Sequence, residues 1–260
     1  LTRSWSDRAI GVAAVVLLLQ PVEWYHYIAN LINPAHRLPD LKVAEMYGEV
    51  ADYTKAGNWR DFLLGNVTLG QKASFLWAVN AGRFVQTAGL FLLGFFIGRK
   101  QLFMTNEKNI VFWTKVLIIS AISFAPLYTL KELVMENDPI VQQTVGTAFD
   151  MWQKLAFTLV LVASFILLYQ HKNFSKAVAG LRFYGKMSLT NYISQSIIGA
   201  FIYFPIGLNL APYCGYTLSL SVGFLIFLLQ LKFCKWWLAR HKQGPLEYIW
   251  HKCTWIGTGK

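Results

Sequence analysis

Charged side chains are scarce in this chain of 260 residues. They make up 14% of it, and only 13 are Asp or Glu against 24 Lys and Arg. A soluble domain carries about 25% charged residues, because it must hydrate its surface. The deficit accompanies 55% hydrophobic and 16% aromatic residues. This composition excludes a disordered chain and disfavours an ordinary soluble enzyme.

Several chemical signatures are also missing. The three cysteines, Cys214, Cys234 and Cys253, are odd in number and far apart, so they form no disulfide framework. No histidines share metal-ligand spacing, and no metal or resident cofactor is expected. Gly-x-x-x-x-Gly-Lys-Ser/Thr, GxGxxG and GxSxG are all absent, which disfavours ATP-driven transport by this chain. The apolar runs also show no paired broken helices of the kind found in transporter repeats.

Long apolar runs dominate what is present. A membrane-crossing helix needs about 20 mostly apolar residues. Six runs approach this length, and the second is predicted to start earlier, near Phe75. The pattern predicts an all-α polytopic membrane protein with about six transmembrane helices in a single domain, 1–260. The predicted spans are 10–32, 84–98, 110–130, 152–169, 188–206 and 213–233.

The net charge of +11 fits either a nucleic-acid binder or a membrane protein with basic cytoplasmic loops. If the N-terminus is cytoplasmic, the inner segments hold 16 Lys and Arg but only three acids, Asp7, Glu107 and Glu247. Six apolar runs would interrupt any nucleic-acid stripe. We therefore predict no nucleic-acid partner, both ends of the chain in the cytoplasm, and contacts with the bilayer and its anionic headgroups.

Two segments outside the spans are predicted to be amphipathic helices. In the outer segment, 33–74, Val43, Met46, Tyr47 and Val50 recur at helical spacing. This helix either packs on the outer membrane surface or covers a site that opens outward. The tail, 234–260, contains a Gly-Pro pair at 244–245 that favours a new helix start, which predicts an interfacial C-terminal helix.

The fifth span has one polar face. Ser188, Asn191, Gln195 and Gly199 lie at i, i+3, i+7 and i+11. Polar groups inside a bilayer are costly, so such a face needs a reason. It lines a cavity for a polar headgroup, or it makes hydrogen bonds between helices around a small-residue contact.

Two further polar groups are candidates near the outer ends of spans. Arg83 follows Asn80 and precedes Gln86 and Thr87 at the start of the second span. Its guanidinium either reaches the interface or binds a carboxylate or phosphate.

Glu23 and His26 lie three residues apart after Pro21. An acid and an imidazole on one helix face are candidates for proton transfer. The alternative is that water at the interface satisfies both side chains.

The predicted inner surface is rich in basic residues. They contact anionic lipid, or they form a binding surface for the phosphates of a nucleotide-like donor such as coenzyme A. The residues are Arg99, Lys100, Lys172, Arg182, Lys186, Lys235, Arg240 and Lys242.

Two motifs resemble the signature of the YeiB-like bacterial membrane proteins, a domain of unknown function. The first is residues 185–192, GKMSLTNY, followed by Gln195-Ser196; the second is residues 243–250, QGPLEYIW. A weaker similarity upstream, through 86–90 and 94–99, agrees in placement. The resemblance extends from about Glu45 onward.

The chain departs from that family's pattern at several positions. Lys186 stands where the family usually has Arg, Tyr248 where it usually has Trp, and His251 where it often has Arg. The family's opening Asp-x-x-Arg-Gly segment has no counterpart here. The chain therefore resembles the C-terminal six spans of a protein of about ten.

The family is grouped with membrane acyltransferases, and this implies a function. Acyl-CoA would be the cytoplasmic donor, and the acceptor a lipid, glycan or small molecule. Ser188, Asn191 and Gln195 would face the cavity, with Arg182 and Lys186 near the donor phosphates. The catalytic His of those relatives lies in the N-terminal half, so no catalytic residue is carried over.

We expect, first, an acyltransferase-like protein of the bacterial inner membrane. The second hypothesis is a transporter or flippase for an amphipathic or anionic solute. The third is a non-catalytic membrane subunit that packs on a partner or on a second copy of the chain.

Overall fold

The computed structural model describes residues 4–256. Helices account for 79% of the structure, and no strand occurs in that range. Three helices are long and apolar enough to cross a membrane, or up to five spans exist if each of two bent helix pairs counts as one. The all-α class is confirmed, whereas six spans are not.

Within residues 4–256, fourteen α-helices follow one another, and two of them continue directly from a π-helical turn, Asn66–Gly70 or Gln142–Gly146. The helices are α1 (Asp7–Leu18), α2 (Pro21–Ile32), α3 (Val43–Lys55), α4 (Trp59–Gly65), α5 (Gln71–Asn80), α6 (Arg83–Arg99), α7 (Glu107–Met135), α8 (Pro139–Val141), α9 (Thr147–Tyr169), α10 (Lys172–Val178), α11 (Leu181–Lys186), α12 (Ser188–Tyr203), α13 (Tyr216–Leu238) and α14 (Pro245–Thr254).

Backbone proximity groups these elements into two compact units. Unit 1 comprises Leu1–Val43 and Lys72–Lys172, and unit 2 comprises Ala44–Gln71 and Asn173–Lys260. The single domain over 1–260 stays a prediction.

The first two predicted spans are broken helices. α1 and α2 are bent by 49° where Gln20 adopts a left-handed backbone with φ of 57°. Helix Trp59–Asn80 and α6 are bent by 75°, with Gly82 at φ of 61°. A left-handed residue ends a right-handed helix, and Pro21 suits the first turn of the next one. The expectation that the chain has no paired broken helices was therefore wrong.

In unit 1, α1 packs closely against α6. A Cβ on Gly89 would lie only 2.9 Å from Leu18 Cγ, so the contact requires glycine. At the start of α1, Asp7 forms ion pairs with Arg99 at 3.0 Å and with Lys100 at 2.6 Å. Two residues of the predicted basic surface are thus used within the protein.

The third and fourth predicted spans are continuous apolar helices. Asn106 caps α7 by accepting from Asn109 N at 2.8 Å, and Phe124 of α7 packs on Phe157 of α9 with ring centroids 5.7 Å apart. Pro139–Tyr169 runs as one candidate span of 31 residues through its π-helical turn.

In unit 2 the predicted outer helix is α3. Val43, Met46 and Val50 are half-buried on one side, whereas Tyr47 is exposed. The Tyr53 ring lies where a Cβ on Gly65 would be, 2.8 Å from the nearest ring atoms. The sixth predicted span is α13, and the predicted tail helix is α14.

Candidate functional sites

Unit 2 contains a cluster of polar side chains centred on Gln230 of α13. The Gln230 side chain, 6% exposed, donates to Ser194 Oγ at 2.8 Å and to Asn191 O at 3.2 Å. Its Oε1 accepts from Tyr184 at 3.1 Å and from Gln195 at 2.9 Å. We call Tyr184, Asn191, Ser194, Gln195 and Gln230 the Gln230 cluster.

Asn191 joins the helices on either side of Met187. It is 2% exposed, and its Nδ2 donates to Tyr184 O at 3.0 Å, a carbonyl near the end of α11. Its Oδ1 accepts from the Cys234 thiol at 3.3 Å. Carbonyls at a helix C-terminus lack intrahelical partners, so this amide caps α11 while it packs on α13.

The predicted polar face of the fifth span is therefore occupied by contacts between helices. Asn191 and Gln195 make interhelical hydrogen bonds, which was the alternative to a cavity lining, and Ser188 is exposed at the start of α12. A substrate-facing role for the three residues stays a prediction. Gln230 was missed, although it is the only carboxamide between Tyr216 and Leu238.

The second motif, residues 243–250, makes hydrogen bonds with the first motif, residues 185–192. Glu247 accepts from Thr190 N at 3.1 Å and from the Thr190 hydroxyl at 2.5 Å, while that hydroxyl accepts from Leu246 N at 3.2 Å. A Cβ on Gly244 would overlap the Glu247 carboxylate. We call Thr190, Gly244, Leu246 and Glu247 the Glu247 clasp.

The clasp favours an ionised carboxylate. Burial alone would raise the pKa of Glu247, but hydrogen bonds from the Thr190 hydroxyl and backbone N–H groups outweigh it. The pKa of Glu247 therefore lies below the ordinary glutamate value. The negative charge also suits the first turns of α12 and α14, where N–H groups are unpaired.

A cavity of about 700 Å³ lies beside the clasp, between the end of α13 and the start of α14. Trp237 is fixed there, since its Nε1 donates to Gln243 O at 3.0 Å and His241 stacks on it at 4.0 Å. We call this cavity the Trp237 pocket. Its walls are Trp237, Arg240, His241, Lys242, Gln243, Gly244, Pro245, Tyr248 and Ile249.

Arg182 and Lys186, the predicted donor-phosphate residues, are exposed on α11. The Arg182 guanidinium lies 5.3 Å from the centre of the Phe183 ring. Arg240 and Lys242 instead line the Trp237 pocket.

In unit 1 the polar groups predicted near the first and second spans share one region. Glu23, His26 and Asn80 line a cavity of about 160 Å³. His26 Nδ1 lies 3.1 Å from His36 Nε2, and the two rings are stacked. Glu23 and His26 thus border the same space, but the hydrogen-bonding partner of His26 is His36. No spacing pattern in the sequence indicates that pair; the only signal is the presence of a second imidazole.

Arg83 lies at the start of α6. Its Nη1 donates to Gln86 Oε1 at 2.9 Å, and its guanidinium lies 5.6 Å from the centre of the Trp77 ring. Gln86 is buried and Thr87 exposed. Of the predicted residues Arg83, Gln86 and Thr87, only Arg83 and Gln86 are therefore joined by a hydrogen bond.

The break in α1–α2 and the break before α6 meet around buried polar atoms. Gln20 is 0% exposed and Glu23 is 7% exposed. Gln20 Nε2, Gln20 Oε1 and Glu23 Oε2 have no hydrogen-bond partner within residues 4–256. A Cβ on Gly82 would overlap Glu23 Oε1 and lie 3.5 Å from Gln20 Oε1. We call Gln20, Glu23 and Gly82 the Gln20–Glu23 junction. No group of three or more His, Cys, Asp or Glu in the described range could hold a metal ion.

Comparison with known proteins identifies a family. Residues 97–257, more than half of the chain, match the family described as "Protein of unknown function (DUF418)". The chain is 25% identical over 95 residues to the "Uncharacterized protein YxaH" of Bacillus subtilis, a match that covers 36% of the chain and 24% of that protein. It is 37% identical over 91 residues to an "Uncharacterized 39.9 kDa protein in amylase 3'region" of Bacillus acidopullulyticus, covering 34% of the chain and 25% of that protein. The matched part thus spans about a quarter of each relative's length, and no solved structure matches the chain.

Proposed function

The chain belongs to the DUF418 family of membrane-type proteins of unknown function, which is the YeiB-like family, and on this premise we propose that it takes part in acyl transfer. An acyl group would pass from cytoplasmic acyl-CoA to a lipid, glycan or small-molecule acceptor at the bacterial inner membrane. The Trp237 pocket is the observation that carries the proposal. The catalytic His would come from a preceding part of the protein.

The pocket suits the nucleotide end of coenzyme A. Its size, about 700 Å³, falls in the range of small-molecule sites, about 300–1,000 Å³. Arg240 and Lys242 supply positive charge for phosphates, and Trp237 and Tyr248 supply aromatic surface for an adenine ring. Arg182 and Lys186 would extend the phosphate-binding surface. Ser188, Asn191 and Gln195 would lie toward the acyl end of the donor.

The proposal includes a topology. The two bent pairs and three continuous helices would be five spans, and α12 would be the sixth. α12 has 16 residues and is about 24 Å long at 1.5 Å per residue, slightly shorter than a typical bilayer core. Six spans put both ends of the chain on one side, and the basic segments favour the cytoplasm. The Trp237 pocket would then face the acyl-CoA pool.

The Glu247 clasp would position this site. Gly244 and Pro245 belong to the pocket wall, while Glu247 binds the start of α12. Thr190 and Glu247 are therefore proposed as positioning residues, since neither lines the pocket.

The test is binding of octanoyl-CoA to the full-length protein purified from native membranes. We expect Arg240→Gln with Lys242→Gln to weaken binding by at least about tenfold, because two charge-assisted contacts are removed. Lys108→Gln with Lys115→Gln removes two exposed lysines outside the predicted basic surface and should leave affinity unchanged. Absence of octanoyl-CoA binding, together with no transfer of labelled octanoyl groups in membranes, would contradict the proposal.

A transporter or flippase is the second candidate, supported by the two broken helices. In many secondary transporters, substrates and ions bind where interrupted helices meet inside the membrane. Flux of an anionic lipid analogue into proteoliposomes is the measurement. We expect Arg83→Ala to reduce this flux; a flux that is equal in protein-free liposomes would exclude this activity.

A further inference from the structure

The Gln20–Glu23 junction contains a buried carboxyl group with no cationic side chain paired to it. Glu23 is 93% removed from solvent, and the ion pairs of the described residues include none on Glu23. Arg83 follows Gly82 directly, but its guanidinium binds Gln86. A buried carboxylate without a partner is costly, so it must either be neutral or bind a cation.

The local backbone favours the ionised form. Glu23 lies in the first turn of α2, where the positive end of the helix dipole stabilises a carboxylate. One carboxylate oxygen, Oε1, lies against the Gly82 backbone, and the other, Oε2, has no partner. Oε2 therefore still lacks a hydrogen-bond donor or a cation.

A second oxygen converges on the same place. Gln20 is fully buried, and its Oε1 lies 3.5 Å from the position that a Cβ on Gly82 would occupy, beside Glu23 Oε1. No hydrogen bond satisfies this amide within the described chain. A buried amide with both its oxygen and its nitrogen unpaired is rare in native proteins, and a bound ion or water is a usual explanation.

The helix ends nearby suit a cation as well. α1 ends at Leu18, just before Gln20, and α5 ends at Asn80, just before Gly82. Leu18 O accepts from Trp152 Nε1 at 2.8 Å and Val79 O from Gly82 N at 3.1 Å, but the C-terminal end of a helix still carries partial negative charge. Unwound carbonyls at such breaks are ligands for Na⁺ in membrane transporters.

We propose that the Gln20–Glu23 junction is a binding site for one monovalent cation of the Na⁺ class, held by the Glu23 carboxylate and Gln20 Oε1. A single carboxylate balances one positive charge, which favours a monovalent ion over a divalent one. The cavity of about 160 Å³ that Glu23 shares with Asn80 and His26 provides room for water ligands and an entrance. The site does not depend on acyl transfer.

Thermal unfolding of the full-length protein in detergent tests the site with NaCl as the probe. N-methyl-D-glucamine chloride at the same concentration controls for ionic strength. We expect Na⁺ to raise the unfolding temperature in a saturable way by at least about 3 °C, since a ligand that binds only the folded state stabilises it. Glu23→Gln should remove the rise, and Glu132→Gln, at an exposed carboxylate of the same unit, should keep it.

Two further variants guard against misfolding. Glu23→Asp keeps the negative charge but places it one methylene group further from the site. The NaCl concentration that gives half of the rise in unfolding temperature should therefore increase. Gln20→Met should weaken the Na⁺ response while the circular dichroism of the helices is unchanged. Equilibrium binding of ²²Na⁺ should give about one ion per chain, in line with one carboxylate.

Three results would overturn the proposal. They are equal stability in both chlorides, a Glu23→Gln variant that responds like the parent, or a response to pH alone, which would mean that Glu23 binds only a proton. Binding of octanoyl-CoA is a separate measurement, so failure of either proposal leaves the other standing.

Discussion

The Gln230 cluster in unit 2 and the Gln20–Glu23 junction in unit 1 differ in how their polar groups are satisfied. In unit 2, the Gln230 side chain has four hydrogen-bonding contacts and Glu247 is held by the Thr190 hydroxyl and a backbone N–H. In unit 1, Gln20 and Glu23 are 0% and 7% exposed but have unpaired atoms. A satisfied network fixes one arrangement of helices, whereas unsatisfied groups are typical of a site whose ligand is external to the chain. The same residue types therefore serve architecture in one unit and suit binding in the other.

The sharpest test of this comparison uses one substitution in the satisfied unit. Gln230→Met keeps side-chain volume but removes every hydrogen bond of the amide. Interhelical bonds in membrane proteins contribute about 0.6 kcal/mol each, so four suggest a loss of roughly 2–3 kcal/mol of unfolding free energy. Denaturant unfolding in detergent measures it. A loss that is no larger than for Gln195→Met alone would show that the cluster does not act as a unit.

The Glu247 clasp predicts a glycine requirement. A methyl group at Gly244 would overlap the Glu247 carboxylate and lie 3.0 Å from Thr190 Oγ1. Gly244→Ala should therefore cost about 1–2 kcal/mol of stability by overpacking. Gly215 is the matched control, because it also precedes a helix at negative φ and has no atom within 4 Å of an added Cβ. Equal effects of Gly244→Ala and Gly215→Ala would argue against the clasp.

The same clasp predicts a pH dependence of smaller size. The pKa of Glu247 is lowered in the folded state from an ordinary value of 4.5. Its contribution to stability is present above that ordinary value and is lost as pH falls through the lowered folded value. Unfolding followed from about pH 7 to about pH 3 should therefore show a steeper loss in the parent than in Glu247→Gln. Parallel curves would mean that the clasp does not depend on charge.

The smallest effect is expected for Gln20→Met in unit 1, although the same change from Gln to Met at position 230 in unit 2 is expected to be the most costly. Gln20→Met removes an amide that has no partner, so in Na⁺-free buffer stability should change by less than about 0.5 kcal/mol or rise. The left-handed backbone at this position is equally demanding for Gln and Met. A loss of stability as large as that of Gln230→Met would show that Gln20 has a structural partner, and would contradict the proposed difference between the two sites.

The sequence predicts the continuous helices because their signal is local. α7 and α13 are uninterrupted apolar runs, and α14 follows from a Gly-Pro pair. The breaks at Gln20 and Gly82 each depend on one residue with a left-handed backbone. The length of an apolar run does not indicate where such a residue will interrupt the helix. Glutamine has little tendency toward that backbone, so packing around it, together with Pro21 after it, selects the break.

The candidate sites divide in the same way. One helix face correctly places Asn191 and Gln195 together, because helical periodicity is local. Their partner Gln230 lies 35 or more residues away, and Glu247 lies 57 residues from Thr190. Such pairings depend on tertiary packing, which spacing along a chain does not encode.

The π-helical turn at Gln142–Gly146 gives Pro139–Tyr169 one more residue than a plain α-helix would need. Thr144, Val145 and Gly146 are consecutive and all buried there, a pattern that a wider turn permits. Each α-helical residue advances by about 100° around the axis. Loss of one residue at this turn would therefore restore a plain α-helix and leave the facing of α9 unchanged, whereas loss of a residue within α9 would rotate everything after it by about a quarter turn. In any relative with a one-residue gap at this turn, we therefore expect the same side of α9 to face α7.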